Sequence, residues 1–121
     1  KLIIGGKSLG GRIASLVVDE AAVDGLICLG YPFHVPGKAT TAKRTQHLVE
    51  LRTPTLICQG TRDPFGTVEE VETYSLSSSI TLHWSDDGDH NFQPRKSSGA
   101  TKKANWQSAI NAIANFTNLL P

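Results

Sequence analysis

The sequence contains no methionine. A translation start is methionine, normally kept before a residue as large as Lys1, and the chain opens on KLIIGG, already inside an apolar run. The expectation is a piece of a longer protein, cut on its N-terminal side. An excess of one charge sign is also lacking: 12 basic against 11 acidic residues leave a formal net charge of +1. With no block of like charges, binding to nucleic acid or to an anionic membrane surface has no compositional footing. No apolar run approaches the roughly 18 residues of a membrane span, and no charged-then-apolar leader opens the chain. Cysteine is scarce. Cys28 and Cys58 each sit inside an apolar run, LICLG and TLICQG, and their spacing fits no zinc motif. They read as buried free thiols in a reducing compartment, which points to the cytoplasm, and a disulfide between the two runs has no support.

What is present is ordinary for a globular protein. Apolar residues make up 39% and charged residues 19%, which separates the chain from disordered sequences. Its 121 residues suffice for one domain with a core. Residues 1–5 read as a short buried strand. Residues 8–19 carry Leu9, Ile13, Leu16 and Val17 at the spacing of one helical face. A second strand follows over 24–29, then a connection over 30–41 rich in Gly, Pro and Thr, and a short helix over 42–51. Residues 54–59 and 79–84 are the third and fourth strands. Between them 67–75 reads as a helix, with Thr67 as N-cap and Glu69 and Glu70 in the first turn, where the helix dipole favours carboxylates. The last helix is expected over 100–119, its apolar side built from Ala104, Ile110, Ile113, Phe116, Leu119 and Leu120.

Strand and helix alternate four times, and the strands are apolar throughout rather than alternating. That pattern implies an α/β fold, a parallel sheet of about four strands with helices on both faces. No repeat, low-complexity tract or linker divides residues 1–121.

The segment Gly6-Lys7-Ser8-Leu9-Gly10 fits G-x-S-x-G between an expected strand and an expected helix. Such a serine stands at a sharp, strained turn, and bulky residues two positions before or after it would collide, hence Gly6 and Gly10. Gly11 allows close helix packing. The helix N-terminus places partial positive charge beside a developing oxyanion, with the Leu9 backbone N–H as one donor. Two rivals fail. A phosphate-binding G-x-x-x-x-G-K-S loop needs glycine five residues before Gly6, where Lys1 stands. A G-x-G-x-x-G dinucleotide fingerprint lacks its spacing in this segment. An inert serine in a glycine-rich turn remains the plainer alternative.

A nucleophilic serine needs a base, and the base needs an orienting carboxylate. Active groups lie at the carboxyl ends of parallel strands, so the search narrows to the segments just after the third and fourth. After PTLICQ comes Gly60-Thr61-Arg62-Asp63-Pro64, and after SITLHW comes Ser85-Asp86-Asp87-Gly88-Asp89-His90. Asp63 and His90 stand at those ends in the required order. Asp86, Asp87 and Asp89 read as solvated turn residues, with Asp89 as an alternative organiser of the histidine loop. His83 lies inside a strand and His47 on a surface helix. His34 follows the second strand on the same rim and is a substrate-pocket candidate. Arg62 reads as a structural ion partner, or else as a contact for an anionic substrate.

Together GGKSLGGR, LGYPF with His34 behind it, QGTRDPFG and DGDHNFQPRK resemble a bacterial branch of the α/β-hydrolase superfamily. The branch is related to dienelactone-hydrolase-like proteins and to the hydrolase-like subunit of a chromatin acetyltransferase complex. The resemblance spans nearly the whole chain and implies Ser8 as nucleophile, Asp63 as acid and His90 as base. Methionine is frequent after the serine in that family; Leu9 stands here, which a backbone donor tolerates. It also implies that residues 1–121 are the C-terminal part of one α/β-hydrolase domain. Four N-terminal strands, with a loop that supplies the second oxyanion donor, would then be absent. The strand at 1–5 would expose an unpaired edge, a template for a homodimer or for a missing segment. The expected activity is hydrolysis of a small-molecule ester, thioester or lactone, with no metal or organic cofactor required. The competing expectation is a non-catalytic hydrolase-like interaction module.

Overall fold

Four apolar runs become four strands, and all of them pair in parallel. The structure is a computed structural model that describes residues 1–121. In chain order the elements are β1 (Ile3–Lys7), α1 (Leu9–Ala21), β2 (Gly25–Leu29), α2 (Ala42–Glu50), β3 (Thr55–Gly60), α3 (Val68–Val71), β4 (Ile80–Ser85) and α4 (Lys102–Leu119). The sheet order is β1-β2-β3-β4. Every residue of β3 is buried, because this strand has a neighbour on each side and helices on each face. β1 pairs only with β2, so its other edge has no partner strand.

The strands are apolar on both faces because two cores sandwich the sheet. Leu26, Cys28 and Ile57 point to one side, where Val18 of α1, Leu48 of α2 and Val71 of α3 close over them. Leu56 and Cys58 point to the other, against Phe92 and Ala109, with Trp106, Ile113 and Phe116 of α4 packed around. The two cysteines therefore lie on opposite faces of the sheet. Both are free and buried, and burial pushes each thiol up to about 12. Three threonines mark helix starts: Thr41, Thr67 and Thr101 accept from the N–H three residues on, at 3.3, 3.4 and 3.0 Å. No helix is long and apolar enough to cross a membrane.

Four expectations change. The first strand extends to Lys7 rather than stopping at Gly5, because Gly6 and Lys7 pair with Cys28 and Leu29. The face of α1 that meets the sheet is Gly11, Ser15 and Val18, while Leu9, Ile13, Leu16 and Val17 are exposed. The helix lies close to β2, and only small residues fit that gap: a Cβ on Gly11 would stand 3.2 Å from that of Cys28. The helix at 67–75 shrinks to Val68–Val71, after which Thr73 and Tyr74 take tighter turns, their N–H groups donating to Glu70 and Val71 carbonyls. The inner side of α4 carries Asn105, Trp106 and Ala109, and Ala104, Ile110 and Leu119 face outward. Asn105 and Trp106 serve the loop that carries His90.

Candidate active site

Ser8 links β1 to α1 with φ 53° and ψ −122°, a conformation L-residues avoid. The chain is held there at both ends. Ser8 N–H donates to the Leu29 carbonyl at 2.8 Å, and the Ser8 carbonyl accepts from Arg12 N–H at 3.1 Å. The crowding expected around the serine is real at Gly6, where a Cβ would stand 2.5 Å from the Gly10 carbonyl carbon. It is not found at Gly10, where a Cβ meets nothing within 4 Å. Glycine at position 6 makes room for the backbone of residues 10 and 11, and no such demand acts on position 10. As first residue of α1, Leu9 has an N–H without an intrahelical acceptor.

Asp63 follows β3 in a tight turn. Its Oδ1 accepts from Phe65 N–H at 2.8 Å, and Gly66 N–H donates back to the Asp63 carbonyl at 3.0 Å. The carboxylate is fully buried. Burial pushes its pKa above the ordinary carboxylate value, while hydrogen bonds from His90 and Phe65 pull the other way. The turn is anchored by Gln59, which in the sequence is only one more strand position. Its buried amide accepts from Tyr31 N–H at 2.7 Å and donates to the carbonyls of Tyr31 at 3.0 Å and Gly66 at 3.2 Å. The amide thus staples the loop after β2 to the loop that carries Asp63. Gln59→Leu leaves these backbone groups buried without partners and is expected to destabilise the fold by about 2–3 kcal/mol, measured by urea unfolding.

His90 stands at the tip of the loop after β4. Asp89 organises that tip, its Oδ1 accepting from Asn91 N–H at 2.8 Å and Gln93 N–H at 3.0 Å. From α4, Asn105 donates to the carbonyls of Asp86 and Phe92 at 2.9 and 3.0 Å, and Trp106 lies 4.7 Å from the Phe92 ring. Asp87 is no free turn residue. It pairs with Arg95 at 2.7 Å and Arg62 at 3.1 Å, and the Arg95 hydrogen bonds pull its carboxyl down to about 2. Arg62 is thus a structural partner, of Asp87 rather than of Asp63. Lys7 and Asn91, neighbours of Ser8 and His90, join the two loops directly at 2.6 Å.

The three side chains meet. His90 Nδ1 lies 2.8 Å from Asp63 Oδ2, and His90 Nε2 lies 2.8 Å from Ser8 Oγ. With Nδ1–H donating to the carboxylate, Nε2 is left bare to accept from the serine hydroxyl. The remaining histidines do other work. His34 is buried, not open to a pocket: its ring nitrogens face the Val35 carbonyl and the Glu70 carboxylate, each at 2.8 Å. His47 contacts Ser15 Oγ and the Tyr31 hydroxyl at 3.0 and 3.1 Å, and burial lowers its pKa. His83 contacts Ser108 at 3.1 Å on the far edge of the sheet. No three His, Cys, Asp or Glu side chains are arranged to hold a metal ion.

The model of the alpha/beta hydrolase domain family matches residues 1–118. The chain belongs to that family. Solved structures share the hydrolase fold at low identity. The esterase domain of a Rhodothermus marinus protein is 14% identical, with a TM-score of 0.61, over 95% of this chain and 59% of its own. A serine hydrolase involved in carbazole degradation is 16% identical, with a TM-score of 0.65, over 98% of this chain and 64% of its own. A dienelactone hydrolase-like promiscuous phosphotriesterase from metagenomic libraries is 16% identical, with a TM-score of 0.61, over 100% of this chain and 53% of its own. This hydrolase chain thus spans between about half and two thirds of the length of these relatives.

Proposed function

We propose that this hydrolase domain belongs to a cytoplasmic serine hydrolase that cleaves an ester, thioester or lactone through an acyl-enzyme. The observation that carries the reading is the continuous hydrogen-bonded path from Asp63 through His90 to Ser8, drawn from three separate strand ends. Ser8 is the nucleophile. As Oγ attacks the substrate carbonyl, His90 Nε2 takes its proton, and Asp63 steadies the imidazolium that forms. The tetrahedral oxyanion faces the Leu9 N–H and the N-terminus of α1. Collapse breaks the bond to the leaving alkoxide or thiolate, which receives the proton from Nε2. Water then attacks the acyl-enzyme with His90 as base, releasing the acid and regenerating Ser8.

The finer kinship, with dienelactone-hydrolase-like proteins and the acetyltransferase-complex subunit, rests on the four motifs GGKSLGGR, LGYPF, QGTRDPFG and DGDHNFQPRK. The open edge of β1 and the exposed apolar residues Leu2, Leu9, Ile13 and Leu16 support pairing with a further segment or a second copy.

A fluorophosphonate probe tests the reading in the intact protein. Covalent labelling is expected at Ser8 and is expected to vanish in Ser8→Ala. Labelling that persists in that variant removes Ser8 as nucleophile. No labelling of a folded wild type favours the interaction-module reading.

A further inference from the structure

The two hydrogen bonds to His90 leave one freedom of its ring uncontrolled. They act at Nδ1 and Nε2, and so define an axis through the imidazole. Neither opposes tipping of the ring about that axis. A face contact does. The Phe65 ring lies against His90 with centroids 4.3 Å apart and planes 33° from parallel, a tilted ring–ring contact. A second wall is backbone. Gly30 holds φ at +67°, and a Cβ there would stand 3.0 Å from the His90 carbonyl oxygen and 3.2 Å from ring atoms Cε1 and Nδ1. Only glycine combines that backbone angle with that clearance.

Resting on the proposed roles of Ser8 and His90, we infer that Phe65 is the positioning residue of the histidine, its ring forming with Gly30 a slot that keeps the imidazole aligned between Asp63 and Ser8. The geometry separates this role from the turn's own stability. Phe65 holds Asp63 through its backbone N–H at 2.8 Å, and a side-chain substitution leaves that bond in place. The half-buried ring belongs to neither core cluster. Its removal frees the histidine without emptying the core.

The test compares Phe65→Ala and Phe65→Tyr in the intact protein. Misplacement of a catalytic group costs rate rather than binding. Phe65→Ala is expected to lower kcat by about 10- to 100-fold with KM within about twofold. Phe65→Tyr keeps the flat ring and is expected to stay within about twofold of wild type. The downfield Nδ1 proton resonance of His90 provides a readout independent of turnover: sharp in wild type and Phe65→Tyr, exchange-broadened in Phe65→Ala. Gly30→Ala attacks the other wall and is expected to lower kcat as well. A Phe65→Ala variant with wild-type kcat and a sharp resonance overturns the slot. One with raised KM and unchanged kcat overturns it too, making Phe65 a substrate contact. Fluorophosphonate labelling that survives Ser8→Ala overturns the nucleophile assignment instead, while the resonance still reports on the slot.

Discussion

Ser8→Ala is expected to lower kcat by about a million-fold, the scale on which removal of a triad nucleophile acts. Binding of substrate and the fold itself are expected to persist. A companion variant isolates the strain at the elbow. Ser8 holds φ 53° and ψ −122°, and alanine must hold the same angles. Glycine adopts them freely. Ser8→Gly is therefore expected to be as inactive as Ser8→Ala yet more stable by about 1 kcal/mol, the lower range of such backbone strain. Urea unfolding of the two variants measures the difference. Equal stability would show that the serine is not strained.

Asp63→Asn is expected to lower kcat by about ten-thousand-fold, because the amide presents an N–H to Nδ1 and favours the wrong histidine tautomer. Its effect on stability runs the other way. Burial raises the Asp63 pKa above its ordinary value of 3.8. Between that value and the raised one, the folded state binds the proton more tightly than the unfolded state. Stability therefore falls as pH rises through this window, and the penalty is complete above it. Asparagine carries no charge and escapes the penalty. The thermal midpoint of Asp63→Asn at pH 7 is expected to match or exceed that of wild type, with the advantage gone below about pH 3.8. A large loss of stability at pH 7 would show that the carboxylate contributes more through its hydrogen bonds than burial takes away. An active site that trades stability for chemistry is the general pattern.

Much of this arrangement is legible without coordinates because it is local. G-x-S-x-G needs only a strand, a turn and a helix, and the steric demand at Gly6 comes from that turn. Strand-end position singles out Asp63 and His90, a rule that parallel topology enforces. The Thr67 cap is local too. The expectations that fail depend on what lies opposite. α1 has an apolar stripe and a stripe of small residues, and periodicity alone does not say which one meets the sheet; the close approach to Cys28 selects the small one. His34 sits on the expected rim, yet Glu70, 36 residues away, draws its ring inward.

The sequence by itself determined the α/β class and singled out Ser8, Asp63 and His90 as candidates by their places at the strand ends. These come from turn sterics and from apolar runs, which act over a few residues. Only the tertiary structure decided that Ser8 and His90, 82 residues apart, stand at hydrogen-bond distance. It alone revealed the Gln59 staple, the α4 brace through Asn105 and the Phe65–Gly30 slot. A contact between distant loops depends on register, twist and packing of the whole sheet, and no local pattern encodes it.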